Sequence, residues 1–372
     1  MLKLFKVQNF KNFNKECVVD FTKTREYEFN KNCIKDGLVN KALLYGANGS
    51  GKTNLGLAFA DISVHLSDNR RNMRHYDYSL NGDTAMTYIS FEYVFDFKGE
   101  EVIYRYKKSE IMELLEEQIM QKGEVVFEYD YKTNKFNSTL PEIENFNTSL
   151  LIGRNLSNSV IKTIYGYSST LPDNSPIKNI YEFANNILWF RSVVEGIQFM
   201  GSISQGENIE QFIIGLGEKG IKEFSAFLSE CGLQYQKLEV QTIGQSQHIV
   251  ASFKNKKYPL VSLASTGTKA LWVFYYWMKR CENNISFLYL DEFDAFYHTK
   301  LAKKILEMVL HNENYQAIVT THNSYLADNS ILRPDCYWIL KEGEVKSFAD
   351  RTSKTIRESH NLEKMLMSNE FE

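Results

Sequence analysis

Apolar and polar residues alternate at period two through residues 2–13 and again through 17–21, with aromatic and β-branched side chains on the apolar positions. That alternation predicts half-buried strands and an early antiparallel hairpin. A short apolar run at 41–45 ends in a glycine-rich loop, and residues 54–66 then carry apolar side chains at helical spacing, which predicts strand, loop, helix. The runs TYISFEYVFDF and EVIYRYKK are separated by Lys98, Gly99 and Glu100, a hairpin with a glycine in its turn. Residues 111–120 either continue that sheet or begin a short helix, and GEVVFEYDYKTNKFN from Gly123 predicts another strand pair. From about residue 140 to 230 the pattern changes to i, i+3, i+4 spacing, including the stretch IKNIYEFANNILWF, and predicts a mostly helical insertion. Strand-like LEVQTIGQSQHIVASF follows. After it come a helix over 268–279, a strand over 285–290, a helix over 301–310 and a strand over 317–320, the alternation of a parallel sheet. No sustained heptad run occurs, so no long coiled-coil arm is encoded.

Composition narrows the picture without deciding it. At 372 residues and 43% hydrophobic, the chain can bury a core for about two lobes. Lys+Arg 43 against Asp+Glu 46 leaves a net charge of -3, so any nucleic-acid surface has to be a local patch. The opening MLKLFKVQNFKNF lacks the unbroken apolar stretch of a secretory signal, and no apolar run approaches the roughly 20 residues that span a bilayer. A cytoplasmic chain with no membrane span is expected. The cysteines at 17, 33, 231, 281 and 336 lie far apart with no CxxC pair, and read as reduced, mostly buried thiols.

Candidate chemistry clusters at the two ends of the chain. Gly46-Ala-Asn48-Gly49-Ser50-Gly51-Lys52-Thr53 fits GxxxxGK[ST] between a predicted strand and a predicted helix, where a phosphate-cradling loop has to lie. Its glycines let backbone N–H groups turn toward phosphates, Lys52 supplies charge at the β and γ oxygens, and the Thr53 hydroxyl is placed for Mg²⁺. The apolar strand ISFLYL delivers Asp291 and Glu292 to a sheet edge: Asp291 is the candidate Mg²⁺ ligand, Glu292 the candidate base for an attacking water. His322 closes the following strand, 31 residues beyond Asp291, where a neutral imidazole can meet the γ-phosphate. Ser265 and Gly267 precede an apolar helix and make either an ordinary N-cap or an anion-binding helix start.

Taken in order, GANGSGKT, ASTGTKAL, FLYLDEFDAFYH and IVTTHNSYL resemble the ABC-type ATPase heads of the SMC/RecF lineage. More narrowly, they resemble the AAA15/AAA21-labelled bacterial ATPases, which include the ATPase parts of OLD nucleases and of the anti-phage systems Septu and PARIS. The resemblance covers residues 1 to 60 and 258 to 345. It implies an α/β ABC-ATPase head: a mixed-sheet P-loop core with an antiparallel β subdomain and a mostly helical insertion. The implied division is an N-terminal ATPase lobe over 1–110, an insertion over 111–257 and a C-terminal lobe over 258–372. By the same resemblance Ser265 and Gly267 reach a γ-phosphate bound by a second copy, Asp294 lies in the loop that crosses the dimer interface, and His322 is the switch histidine. Gln118 is a candidate for the Q-loop glutamine. The S-T-G-T signature departs from the L-S-G-G-Q of transporters, AFYH after Asp294 leaves His298 open to a structural role, and no acidic nuclease cluster follows the head.

Three functions are then open. One is an ATP-driven switch, ATP and Mg²⁺ joining two copies that control a separate effector, a nuclease or toxin, in anti-phage defence. Another is a nucleotide-stabilised scaffold that oligomerises and holds a partner. The third is a RecF-like DNA-repair ATPase in which Arg70, Arg71 and Arg74, or Lys254, Lys256 and Lys257, meet phosphates while Tyr76 and Tyr78 stack on bases. A transporter, kinase or GTPase is not expected.

Overall fold

The computed structural model describes residues 1–67, 76–151, 158–168, 171–193, 196–200, 208–280 and 285–371. The chain opens with the hairpin β1 (Leu2–Gln8) and β2 (Cys17–Asp20), then the short pair β3 (Ile34–Lys35) and β4 (Leu38–Val39). β5 (Lys41–Tyr45) runs through the glycine-rich loop into α1 (Lys52–Leu66). A meander follows: β6 (Tyr88–Phe97), β7 (Glu100–Ser109), β8 (Leu114–Gln121), β9 (Glu124–Asp130) and β10 (Lys135–Ser138). Next come α2 (Val160–Tyr167), α3 (Pro176–Asn185), β11 (Ile187–Val193), β12 (Gly196–Met200), α4 (Ile209–Gly215) and α5 (Gly217–Glu230). The three-stranded sheet β13 (Lys237–Ile243), β14 (Ser246–Ser252) and β15 (Lys257–Pro259) leads to α6 (Leu260–Leu263) and α7 (Thr266–Arg280). The chain continues through β16 (Phe287–Asp291), α8 (Thr299–Leu310), β17 (Gln316–Thr320), β18 (Tyr337–Lys341), β19 (Glu344–Ser347), α9 (Phe348–Arg351) and α10 (Leu362–Met367).

These strands build two seven-stranded sheets with α1 between them. One is antiparallel, in the order β10-β9-β8-β7-β6-β1-β2; the other has the order β12-β11-β16-β17-β5-β18-β19, with β11, β16, β17, β5 and β18 mutually parallel. β5, β16 and β17 are buried along their whole length, which is why they read as unbroken apolar runs, whereas β6 alternates buried and half-buried positions. The Phe59 ring of α1 stacks on Phe5 of the antiparallel sheet at 4.1 Å and on Phe287 of the parallel sheet at 5.0 Å. α1 approaches β16 so closely that a Cβ at Gly56 would lie 2.5 Å from the Tyr289 ring, so only glycine fits there. Helices α4 and α5 cover α7 through Phe212 against Tyr276 and Phe224 against Trp272.

Two expectations change. Residues 140–230 are not one helical insertion: α3 ends at Asn185, and the next apolar run, ILWF, is β11 of the parallel sheet, paired in register with β16. A strand buried on both faces loses its alternation and reads like a helix segment. The antiparallel sheet also runs on through β8, β9 and β10, so a boundary at 110/111 falls inside it. The thiols of Cys17, Cys33, Cys231 and Cys336 are free and buried, while Cys281 lies outside the described residues. Among the described residues no helix is long and apolar enough to cross a membrane.

Candidate functional site

The parallel order brings the ends of β5, β16 and β17 side by side, so residues distant in sequence meet at one sheet edge. Gly51, at φ 105, is the N-cap of α1 and has no side-chain cap, which leaves the first N–H groups of the helix pointing into the loop. A Cβ at Gly51 would lie 2.3 Å from Asn12 Nδ2. Asn12 itself donates to Ser50 O at 3.1 Å and accepts from Asn54 at 2.7 Å, so it braces the loop from the N-terminal hairpin. Ala47, Asn48 and Gly49 are exposed at the loop's tip.

Lys52 is buried and turns back on the loop, donating to Gly46 O at 2.8 Å and Ala47 O at 3.2 Å. Burial lowers its pKa, and Asp291 and Glu292 partly offset the effect. Thr53 Oγ1 donates to Asp291 Oδ2 at 2.8 Å, and Thr320 Oγ1 donates to Asp291 Oδ1 at the same distance. The Asp291 carboxyl is fully buried, and that burial pushes its pKa up against the two hydroxyls and the positive charge of Arg191.

Glu292 sits at φ 47, a left-handed conformation rare for a glutamate, and its N–H donates to Thr320 Oγ1 at 2.8 Å. Strain of this sort costs on the order of 1–3 kcal/mol and concentrates where a side chain has to be aimed. His322 is exposed beside these groups. Burial of part of the ring and the nearby Lys52 lower its pKa, Glu292 and Asp294 raise it, and the net shift is downward, so the ring is neutral at pH 7. Asp294 accepts from Thr321 Oγ1 at 2.8 Å, which ties the segment after β16 to the end of β17.

The residues present suit a nucleoside triphosphate with a divalent cation. Among the described residues Ser50 Oγ is buried inside the loop without a hydrogen-bond partner, the helix start is uncapped, and a hydroxyl and a carboxylate, both oxygen ligands, already meet at Thr53 and Asp291. Among the described residues no cluster of three His, Cys, Asp or Glu side chains could hold a metal by itself. Mg²⁺ suits such a site, because it takes one or two protein ligands and completes its shell from phosphate and water.

Other candidates lie elsewhere. Ser265 is exposed, and its hydroxyl accepts from Thr268 N at 3.2 Å as the cap of α7. A Cβ at Gly267 would meet Phe296 O at 3.1 Å, so this helix start packs against the segment after β16; among the described residues neither Ser265 nor Gly267 hydrogen-bonds the loop. Gln118 projects from the face of β8 opposite the buried Glu117 and bonds Glu128 at 3.5 Å, so the Q-loop expectation fails: that strand's register aims residue 118 away from α1. His298 caps α8 through its ring nitrogen, which accepts from Leu301 N at 3.3 Å, a structural role. Tyr76 is buried and donates to Leu57 O at 3.0 Å, so it cannot stack on a base; Tyr78 is exposed. Arg70, Arg71 and Arg74 lie outside the described residues. Lys254 and Lys256 are exposed at the β14–β15 turn, and Lys257 pairs with Glu239.

Sequence reading missed two contributors. Asn12 belongs to the opening hairpin and meets the loop only through the fold. Arg191 lies on β11 opposite Asp291, with Nε 3.3 Å from Asp291 Oδ2 and Nη2 3.1 Å from Glu292 Oε2. The apolar run ILWF ending in a charged residue, the pattern of FLYLDE, marks a candidate strand end but not which strand lies beside it.

A family described as "AAA domain, putative AbiEii toxin, Type IV TA system" matches residues 41–109 and 243–328, under half of the chain. No curated protein matches. Among solved structures, an Smc head bound to the C-winged helix domain of ScpA aligns with 93% of this chain and 96% of its own, at 17% identity and a TM-score of 0.46. The SMC head domain from Thermotoga maritima aligns with 93% and 97% at 16% identity and a TM-score of 0.41. An Smc head domain with an extended coiled coil bound to the C-terminal domain of ScpA, derived from Pyrococcus furiosus, aligns with 93% and 95% at 16% identity and a TM-score of 0.45. None of these three likenesses assigns a role to a residue here. The matched family spans the glycine-rich loop and the Asp291–Glu292 strand, and with the site geometry it supports a nucleotide-binding protein of ATPase type.

Proposed function

We propose that this chain binds and hydrolyses ATP, and that ATP joins two copies of it. The observation that carries the reading is the 2.8 Å contact between Thr53 and Asp291, with Glu292 held beside it at φ 47. The loop N–H groups, the Ser50 hydroxyl and Lys52 bind the phosphates, Lys52 exchanging the Gly46 and Ala47 carbonyls for β and γ oxygens. Thr53 and Asp291 would hold Mg²⁺, which neutralises charge on the phosphates when bound. Glu292 orients and deprotonates the attacking water, and His322, neutral at pH 7, hydrogen-bonds the terminal phosphate.

Ser265 and Gly267 are free of their own loop and stand at an exposed helix start, which suits contact with a nucleotide held by a second copy, and the family resemblance assigns Asp294 to the same contact. A triphosphate touched from both sides favours the paired state over the diphosphate, as a ligand-driven switch requires. The output is control of a separate nuclease or toxin in anti-phage defence, a reading supported by the resemblance to defence ATPases. Lys254 and Lys256, beside the half-exposed rings of Phe253 and Tyr258, favour nucleic acid as a further ligand.

The test uses Glu292→Gln and Lys52→Ala. The glutamine protein is expected to bind ATP, lose turnover by about a hundredfold or more, and elute as a dimer with ATP in light-scattering chromatography. The alanine protein is expected to stay monomeric with no bound nucleotide. A Glu292→Gln protein that binds ATP and remains monomeric refutes the paired arrangement, and a wild-type protein that consumes no ATP refutes the activity.

A further inference from the structure

Arg191 enters this site from a strand that carries none of the recognisable motifs. β11 pairs in parallel with β16 in a register that sets Arg191 directly beside Asp291. Its guanidinium is shared between two carboxylates, Nε 3.3 Å from Asp291 Oδ2 and Nη2 3.1 Å from Glu292 Oε2. Asp291 does not need it for hydrogen bonding, since the hydroxyls of Thr53 and Thr320 already reach its two oxygens at 2.8 Å. Nor is the arginine well satisfied: Nε is buried and makes no aligned hydrogen bond among the described residues. What Arg191 supplies is positive charge, and it supplies it to Oδ2, the oxygen that Thr53 also meets.

That oxygen is where a divalent cation held by the hydroxyl and the carboxylate would bind, so the guanidinium and the cation compete for it. An arginine displaced from two carboxylates needs another anion. Its planar fork matches two oxygens of a phosphate, and the γ-phosphate is the anion that arrives with the cation. We propose that Arg191 is a terminal-phosphate sensor: it neutralises Asp291 and Glu292 while no nucleotide is bound, and transfers to the γ-phosphate of a bound nucleoside triphosphate. This rests on the reading of the glycine-rich loop as an ATP site. The transfer has three consequences. A divalent cation is held off until it arrives with nucleotide. Glu292 is freed to hold water only when a triphosphate is present. A diphosphate has no γ oxygens to draw the arginine away, so a single chain discriminates ATP from ADP before any second copy joins.

Arg191→Met removes the fork and keeps most of the stem. Without nucleotide, Mn²⁺ binding followed by electron paramagnetic resonance is expected to be about tenfold tighter in R191M than in wild type. By calorimetry, the preference for a non-hydrolysable ATP analogue over ADP is expected to fall about tenfold, with ADP affinity changed by less than about threefold. A structural arginine would shift both nucleotides together. Unchanged Mn²⁺ affinity with an unchanged preference overturns the proposal. If R191M lacks the wild-type thermal transition, R191K takes its place: an ammonium cannot span two phosphate oxygens, so the preference is expected to fall at least about threefold, and a lysine protein that keeps it in full overturns the proposal. A wild-type chain that binds neither nucleotide removes the ATP-site reading itself, a result visible before any variant is made.

Discussion

At the scale of single residues, the site depends on conformations that few side chains tolerate. Gly51 has φ 105 and sits where a Cβ would strike Asn12 at 2.3 Å. Gly51→Ala is therefore expected to cost about 1–3 kcal/mol of stability and to abolish ATP binding, because relieving the clash rotates the first N–H groups of α1. Urea unfolding and calorimetry check the two parts separately; full ATP affinity in the alanine protein would show that the loop tolerates the rotation. The residues of the glycine-rich loop, and Asp291 and Glu292, were legible in the sequence because their chemistry lies within a few consecutive positions. Arg191 and Asn12 were not. Each reaches the site through pairing or packing between distant segments, and nothing local marks an arginine at the end of ILWFR as the neighbour of an aspartate a hundred positions away.

At the scale of elements, the face between α1 and the antiparallel sheet holds a polar seam within an otherwise apolar core. Asp61 accepts from Lys108 Nζ at 2.7 Å and from Tyr106 at 2.9 Å, and all three are buried. Glu117, also buried, accepts from Tyr104, Tyr131, Ser159 and the first N–H of α2, and so pins that helix to β8. The alternation of β6 and β7 was legible, yet it gives no sign that Lys108 faces inward, and the segment that carries Glu117 was open between strand and helix, because a charged residue at an inward position is indistinguishable from a register break until its partner is known. β11 was read as helix for the converse reason, its outward positions being apolar too.

His65 lies in the same seam, its Nε2 2.9 Å from Tyr104 Oη. Burial holds its pKa well below the ordinary 6.5, and the positive charge of Lys108 adds to the effect. The folded chain thus keeps this imidazole neutral while the unfolded chain protonates it, so its contribution is complete above pH 6.5 and is lost as pH falls below that value. Between pH 7 and pH 5 the wild type is expected to lose about 2 kcal/mol more than His65→Gln, whose amide can still donate to Tyr104. Urea midpoints at the two pH values measure the difference. Equal losses would mean that the ring is protonated in the folded state.

At the scale of the whole molecule, the two sheets must hold a fixed relation, because Asn12 braces the loop from the antiparallel sheet's opening hairpin while Lys52 opens α1 between the sheets and Asp291 and His322 lie at the edge of the parallel one. The shared core around Phe59 gives that relation its bulk, and Gln316 gives it direction. Buried at the start of β17, the Gln316 amide accepts from Leu2 N at 2.6 Å, donates to Leu2 O at 2.9 Å and donates to Val39 O at 3.2 Å. One side chain therefore satisfies three backbone groups, from β1 of one sheet and from the strand leading into β5 of the other. The sequence revealed both sheets but not this joint, which is why it suggested lobes divided along the chain, whereas the structure interleaves them in space. Gln316→Leu keeps the volume and strands those three groups out of reach of water. The expected cost is about 2–4 kcal/mol, since unpaired buried backbone groups are expensive while the apolar contact is nearly unchanged. If Gln316 also fixes how Asn12 meets the loop, ATP binding should weaken in the folded Gln316→Leu protein although residue 316 touches no part of the loop. Denaturant unfolding measures the first effect and calorimetry the second. Loss of stability with undiminished ATP affinity would show that the apolar core around α1 aligns the sheets without the glutamine.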